Sequence, residues 1–179
     1  MKRPLHIDPS KGLTSAGLLD AFSALADSSP PPCSLGAEAR SVRAGEIAIA
    51  VLEGLREAGV EGLSGEEASR LSALSQALAA LDAEPVTSGP LPVPSGGTGG
   101  LFARLLSGLP MAGNPAPLEP LAVAFLRAVA RFGPAPLQTV ERMGEGSDGV
   151  RVFLGTPGRE GDGGLFVLEA NLDDLSAEL

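Results

Sequence analysis

Tryptophan and tyrosine are absent from this 179-residue chain, which carries one histidine and one cysteine. Without Trp or Tyr, the chain lacks the main stacking surfaces of single-stranded nucleic-acid binders. The lone cysteine, Cys33, excludes an intrachain disulfide and a cysteine-rich zinc site. Basic side chains are also few: 13 Lys and Arg stand against 22 Asp and Glu, for a net charge of −9. That balance argues against nucleic acid and anionic membranes as partners, since both call for a basic surface. No apolar run reaches the roughly 18 residues of a membrane span. The basic start Met1-Lys2-Arg3-Pro4 is not followed by the apolar stretch of a signal peptide, so a cytoplasmic protein is expected.

What is present is enough for a core: 44% of the residues are hydrophobic, and the length suits one domain without disulfides or metal. With so few aromatics, that core must be built from Leu, Val, Ala and Phe. The chain is punctuated by 24 glycines and 16 prolines.

Leu5 to Asp8 reads as a short strand, and Pro9 to Leu13 as a turn that uses Gly12. Thr14 can cap a helix running to about Ala26, with Leu18, Leu19, Phe22 and Leu25 on one face. Asp27 to Ala37 reads as a loop. Ser41 to Ala58 has the clearest helical period: Ile47, Val51 and Leu55 form a stripe, with Ala48 and Leu52 beside it and Gly59 as the stop. Ser64-Gly65-Glu66-Glu67 is a capping box, and Leu71, Leu74, Leu78 and Leu81 follow on one helix. Val86 to Ser88 reads as a strand, Leu101 to Leu106 as a short helix, and Pro110 to Pro120 as irregular. A helix is expected over Leu121 to Arg131, stopped by Gly133-Pro134. Leu137 to Met143, Val150 to Leu154 and Leu165 to Ala170 read as strands, the last two apolar enough to be covered on both faces. This order implies an α/β fold, with α+β as the alternative: one mixed sheet flanked by amphipathic helices. The expected division is a domain over 1–155 and a C-terminal strand with an acidic segment over 156–179.

Few residues qualify as chemistry. His6 and Asp8, two apart on a strand, share a face and could ligate a metal or exchange a proton; they could equally be ordinary edge residues. Glu61, Glu66 and Glu67 sit around a helix start, where the dipole and the capping box favour carboxylates. Cys33 has neither a base nor a helix start beside it and reads as incidental. Ser95-Gly96-Gly97-Thr98-Gly99-Gly100 could offer amides to a phosphate. It lacks the Lys-Ser/Thr of a P-loop, however, and reads as a linker. Glu169, Asn171 and Asp173 would alternate onto one face of a continuing strand, a set of oxygen donors suited to a hard cation; an acidic capped turn is the simpler alternative.

The segment Glu169-Ala170-Asn171-Leu172-Asp173-Asp174 resembles a glutamate-x-asparagine-x-aspartate-aspartate segment of the LarC-type nickel insertion proteins. Leu126 to Pro136, Thr139 to Gly144, Val150 to Gly155 and Gly89 to Pro94 resemble that family's helix, Phe-Gly-Pro-x-Pro break, strands and proline-rich loop. Asp8 to Leu25 is similar to its N-terminal segment and keeps Asp8 and Gly12, the latter as a structural turn. The resemblance implies a role in making the nickel-pincer cofactor, in which nickel is inserted with CTP and a divalent cation such as Mn²⁺ or Mg²⁺. It implies metal contacts from Asp8, Glu61 and Glu66, with His6 nearby. It implies nucleotide or cation contacts from Glu169, Asn171, Asp173 and Asp174. The family's acid after the second glycine falls here on Ala16, its motif histidine on Val60 and a later aspartate on Arg70. Soft or imidazole ligands are limited to His6, Cys33, Met1, Met111 and Met143. The expectation is therefore a cofactor-assembly component with eroded chemistry, which needs a separately encoded C-terminal half or self-association. The alternative is a non-catalytic scaffold or regulatory protein-binding module on the same fold.

Overall fold

A computed structural model of the chain describes residues 3–27, 36–81, 83–95 and 100–157. They form an α/β fold around a five-stranded mixed sheet, ordered β3-β2-β1-β5-β4. Its strands are β1 (Arg3–Asp8), β2 (Ala83–Ser88), β3 (Arg131–Phe132), β4 (Leu137–Glu145) and β5 (Arg151–Pro157). β1, β2 and β3 run parallel, whereas β5 pairs antiparallel with both β1 and β4. Helices α1 (Ser15–Asp27), α2 (Ala37–Glu57) and α3 (Gly65–Leu81) connect β1 to β2; α4 (Leu101–Leu105) and α5 (Pro120–Val129) connect β2 to β3. Parallel neighbours need such crossovers.

Local chemistry sets the ends of the helices. Thr14 Oγ1 accepts from the Gly17 amide at 3.0 Å and caps α1. Ser64 and Glu67 bond reciprocally at 3.0 and 3.1 Å, so the capping box forms and starts α3. At the end of α2 the Val60 amide reaches Leu55 O and the Gly59 amide reaches Arg56 O, the paired bonds of a Schellman stop, with Gly59 at φ 100°. The helix expected to reach Arg131 stops at Val129, because Ala130 is already extended and Arg131 and Phe132 pair with Thr87 and Ser88. A two-residue strand thus replaces the last turn of that helix.

One side of the sheet carries the main core. Leu5 and Ile7 of β1 join Val86, Val152, Leu154 and the apolar faces of the helices in one cluster. α5 lies in its middle: Leu121 to Leu126 are all buried, and Phe125 meets Phe22 of α1 at 6.3 Å in a tilted pair. α1 lies close against β4, because Gly144 has no side chain; a Cβ there would strike the backbone of Ala21. The other side of the sheet carries a second, smaller cluster of Ala135, Leu137 and Phe153. β5 is thus buried on both faces over Val152 to Leu154, as its apolar run predicts, and it continues to Pro157.

α2 departs from expectation on one point. Ile47, Val51 and Leu55 are buried as their period predicts, but Leu52 is 41% exposed rather than packed beside them. Its neighbours on that outer face are Val42 and Ile49, 63% and 59% exposed.

Candidate functional site

The carboxyl ends of β1 and β2, where parallel strands of an α/β sheet present ligand sites, hold the N-terminal candidates together. His6 pairs in register with Thr87 on one side and Phe153 on the other, so its ring lies on the Phe153 side of the sheet, away from the helices. His6 Nδ1 lies 2.9 Å from Thr87 Oγ1, and that hydroxyl also lies 3.3 Å from the Leu5 carbonyl, to which it can donate. When the hydroxyl donates to the Leu5 carbonyl, the ring proton is on Nδ1 and Nε2 carries the lone pair; when it donates to Nδ1, the two are exchanged. A Cβ at Gly89 would stand 3.8 Å from Nε2, so the ring edge faces the chain just after β2. Burial lowers the His6 pKa from 6.5 to about 4, against a smaller opposing pull from Asp8. The imidazole is therefore neutral near pH 7.

Asp8, one turn of the pleat further along, is engaged twice. Its Oδ2 accepts from Arg151 Nη2 at 3.1 Å and its Oδ1 from the Ser10 amide at 3.1 Å. Arg151 also lies over the Phe153 ring, 5.9 Å from its centroid. The turn that follows is closed by the Gly12 amide on Pro9 O, with Gly12 at φ 146° and the Asp148 carbonyl where a Cβ would go. A side chain at Gly12 has neither the backbone freedom nor the space.

Beyond Gly12 the chain enters α1 through a clasp of carboxylates. Asp148 Oδ2 accepts from the Thr14 amide at 2.7 Å and from its hydroxyl at 3.0 Å; Asp148 Oδ1 accepts from the Val150 amide at 3.1 Å. Glu119 Oε1 accepts from the Ser15 amide and hydroxyl at 2.5 and 2.6 Å. Arg70 reaches in from α3, with Nη1 3.3 Å from Ser15 Oγ and 3.7 Å from Glu119 Oε2, and Nη2 3.5 Å from Glu66 Oε2. The helix start that could have held an anion holds the protein's own carboxylates.

Of the sequence candidates, His6, Asp8 and Gly12 thus lie in one strand and turn, and Glu66 joins the clasp through Arg70. Glu61 sits apart, exposed in the loop between α2 and α3. Among the described residues there is no group of three or more His, Cys, Asp and Glu side chains placed to hold a metal ion. Cys33, most of the glycine-rich stretch (Gly96 to Gly99), the expected strand Leu165 to Ala170, and Glu169, Asn171, Asp173 and Asp174 lie outside the described residues. Sequence reading missed Glu119, Asp148 and Arg151, and met Arg70 only as a replaced aspartate. No helix among the described residues is long and apolar enough to cross a membrane.

No protein-family model, curated protein or solved structure matches the chain.

Proposed function

We propose that this chain is a non-catalytic, protein-binding scaffold on an α/β fold of the LarC-like kind, working beside a partner that supplies any nucleotide or metal chemistry. The observation that supports this most is the internal pairing at the carboxyl edge of β1. Asp8 is held by Arg151, Glu66 and Glu119 by Arg70, and Asp148 by three donors of the α1 entry and the following strand. A carboxylate in such pairs has part of its charge and some of its lone pairs taken up by the protein's own donors, which makes it a poorer ligand for a cation. In this reading CTP with Mn²⁺ or Mg²⁺ belongs to a separately encoded C-terminal half, and the present chain contributes surface.

One feature favours a second reading, direct participation in nickel-pincer cofactor assembly. His6 is neutral, and Nε2 has no hydrogen-bond partner among the described residues; in the tautomer protonated on Nδ1 that nitrogen has the lone pair that binds nickel. Asp8 would join it with a lone pair not used by Arg151 or the Ser10 amide.

Calorimetric titration of the tag-free chain with Ni²⁺, with and without CTP and Mn²⁺, separates the two. The scaffold reading expects no binding heat. Nickel binding in the micromolar range that disappears in His6→Gln would overturn it in favour of cofactor assembly.

A further inference from the structure

The outer face of α2 has a pattern that its buried face does not explain. Val42, Gly45, Ile49 and Leu52 follow one another at steps of three and four residues, the spacing of a coiled-coil seam. All four lie on the solvent side, and Val42, Ile49 and Leu52 are half of the six exposed large hydrophobic residues among those described. Nothing lies within 4 Å of the place a Cβ on Gly45 would occupy. Beside the stripe runs a groove of about 370 Å³ between α2 and α3, lined by Ser41, Gly45 and Ala48 on one wall and Ser72 and Ser75 on the other. Ser75 Oγ is buried there with no hydrogen-bond partner among the described residues. A helix face of this kind stays apolar when another surface covers it.

The stripe is complementary to itself. Two copies of α2, antiparallel about a twofold axis at the level of Ile47, bring each Ile49 opposite the partner copy's Gly45. Each Val42 then meets a Leu52, and each Glu38, in the first turn, meets an Arg56, in the last turn. Large faces small at Ile49 and Gly45, apolar faces apolar at Val42 and Leu52, and acid faces base at Glu38 and Arg56, all from one register. Isologous contacts demand this reciprocity. A parallel pairing would set Ile49 against Ile49, Gly45 against Gly45 and Glu38 against Glu38, and loses the large-to-small and acid-to-base matches. One flank opposes the arrangement: Glu46 comes close to its own copy across the axis.

Resting on the scaffold reading above, we propose that the scaffold also binds a second copy of itself, docked antiparallel through the outer face of α2, apart from any partner that supplies nucleotide or metal chemistry. The seam is apolar and small-to-large at its centre, with ion pairs at its ends. The charged ends fix the register, and the open Gly45 position admits the Ile49 side chain.

Sedimentation equilibrium of the full chain at physiological salt tests this, with circular dichroism to verify helix content. The wild type is expected to dimerise with a dissociation constant in the micromolar range. Ile49→Glu and Val42→Glu, both at exposed positions, should remain helical and become monomeric. Glu38→Arg alone or Arg56→Glu alone should weaken the dimer about tenfold, since each sets like charges at both ends of the seam. Glu38→Arg combined with Arg56→Glu should restore it, and Glu46→Gln should tighten it. A wild type that stays monomeric at about 100 μM, far above such a constant, overturns the proposal. So does a dimer that survives Ile49→Glu, or a double charge swap that fails to rescue two weakening singles. A monomer that binds no nickel leaves the scaffold reading in place without a second copy, whereas nickel binding removes that reading whatever the sedimentation result.

Discussion

His6 should make the fold sensitive to mild acid, in a window set by its surroundings. The ring is buried beside Thr87 and Phe153, and its pKa falls from 6.5 in the unfolded chain to about 4 in the fold. Above pH 6.5 the imidazole is neutral in both states and has no effect on the equilibrium. As the pH falls below 6.5 the unfolded chain binds the proton and the folded chain does not, so stability is lost, and the loss is complete below the folded pKa. At 1.36 kcal/mol per unit the full difference is about 3 kcal/mol, of which about 2 kcal/mol has been lost by pH 5. Carboxylates contribute to the acid side of the same curve, so the measurement has to be a difference. His6→Gln removes the titration and keeps an amide within reach of Thr87. Urea unfolding followed by far-ultraviolet circular dichroism, the suitable probe for a chain without Trp or Tyr, gives both stabilities from pH 7 to pH 5. The wild type should lose about 2 kcal/mol more than the variant over that range. Parallel curves would refute the burial argument, since an imidazole that titrates normally in the fold leaves no difference to lose.

Other positions give sharper contrasts. Gly144→Ala should destabilise by about 2 kcal/mol or more in the same assay, because its Cβ meets the Ala21 backbone rather than a side chain that can turn away. Gly54→Ala, inside α2 with open space around it, should instead stabilise by about 0.5–1 kcal/mol. Ser64→Ala should cost about 1 kcal/mol through the loss of the α3 cap, visible as a lower melting temperature. Asp148→Ala should cost about 2 kcal/mol or more, since the amides of Thr14 and Val150 lose a charged acceptor; amide hydrogen exchange at Thr14 should rise with it.

What was legible in the sequence was local. Thr14, Gly59 and the Ser64–Glu67 box act over three to five residues, and their physics is written in adjacent letters. The periods of α1 and α3 likewise report the faces they bury. The clasp around α1 was not legible, because Asp148 and Glu119 reach Thr14 and Ser15 from 134 and 104 residues away. Neither carboxylate sits in a motif; each is chosen by the sheet order that brings β4, β5 and the entry to α5 beside the β1 turn. Arg151 is the same case, 143 residues from Asp8. α2 misled for a different reason: it is apolar on two sides. The stripe through Ile47, Val51 and Leu55 accounts for the core, and Leu52 looks like its continuation until the fold sets it outside with Val42 and Ile49. β3 was hidden because two residues carry no period, and only the exposed edge of β2 recruits them.

The central claim is that the polar groups at the end of β1 are engaged with one another rather than presented to a cation. The single histidine makes this directly observable, because a tag-free, isotope-labelled chain gives one set of imidazole signals. The measurement is the nitrogen–proton correlation spectrum of that ring near pH 7 as Ni²⁺ is added to equivalence. The account predicts a neutral ring, with signals that nickel leaves unchanged. Loss or large displacement of the His6 signals at one equivalent would contradict it, and would place nickel at the end of β1.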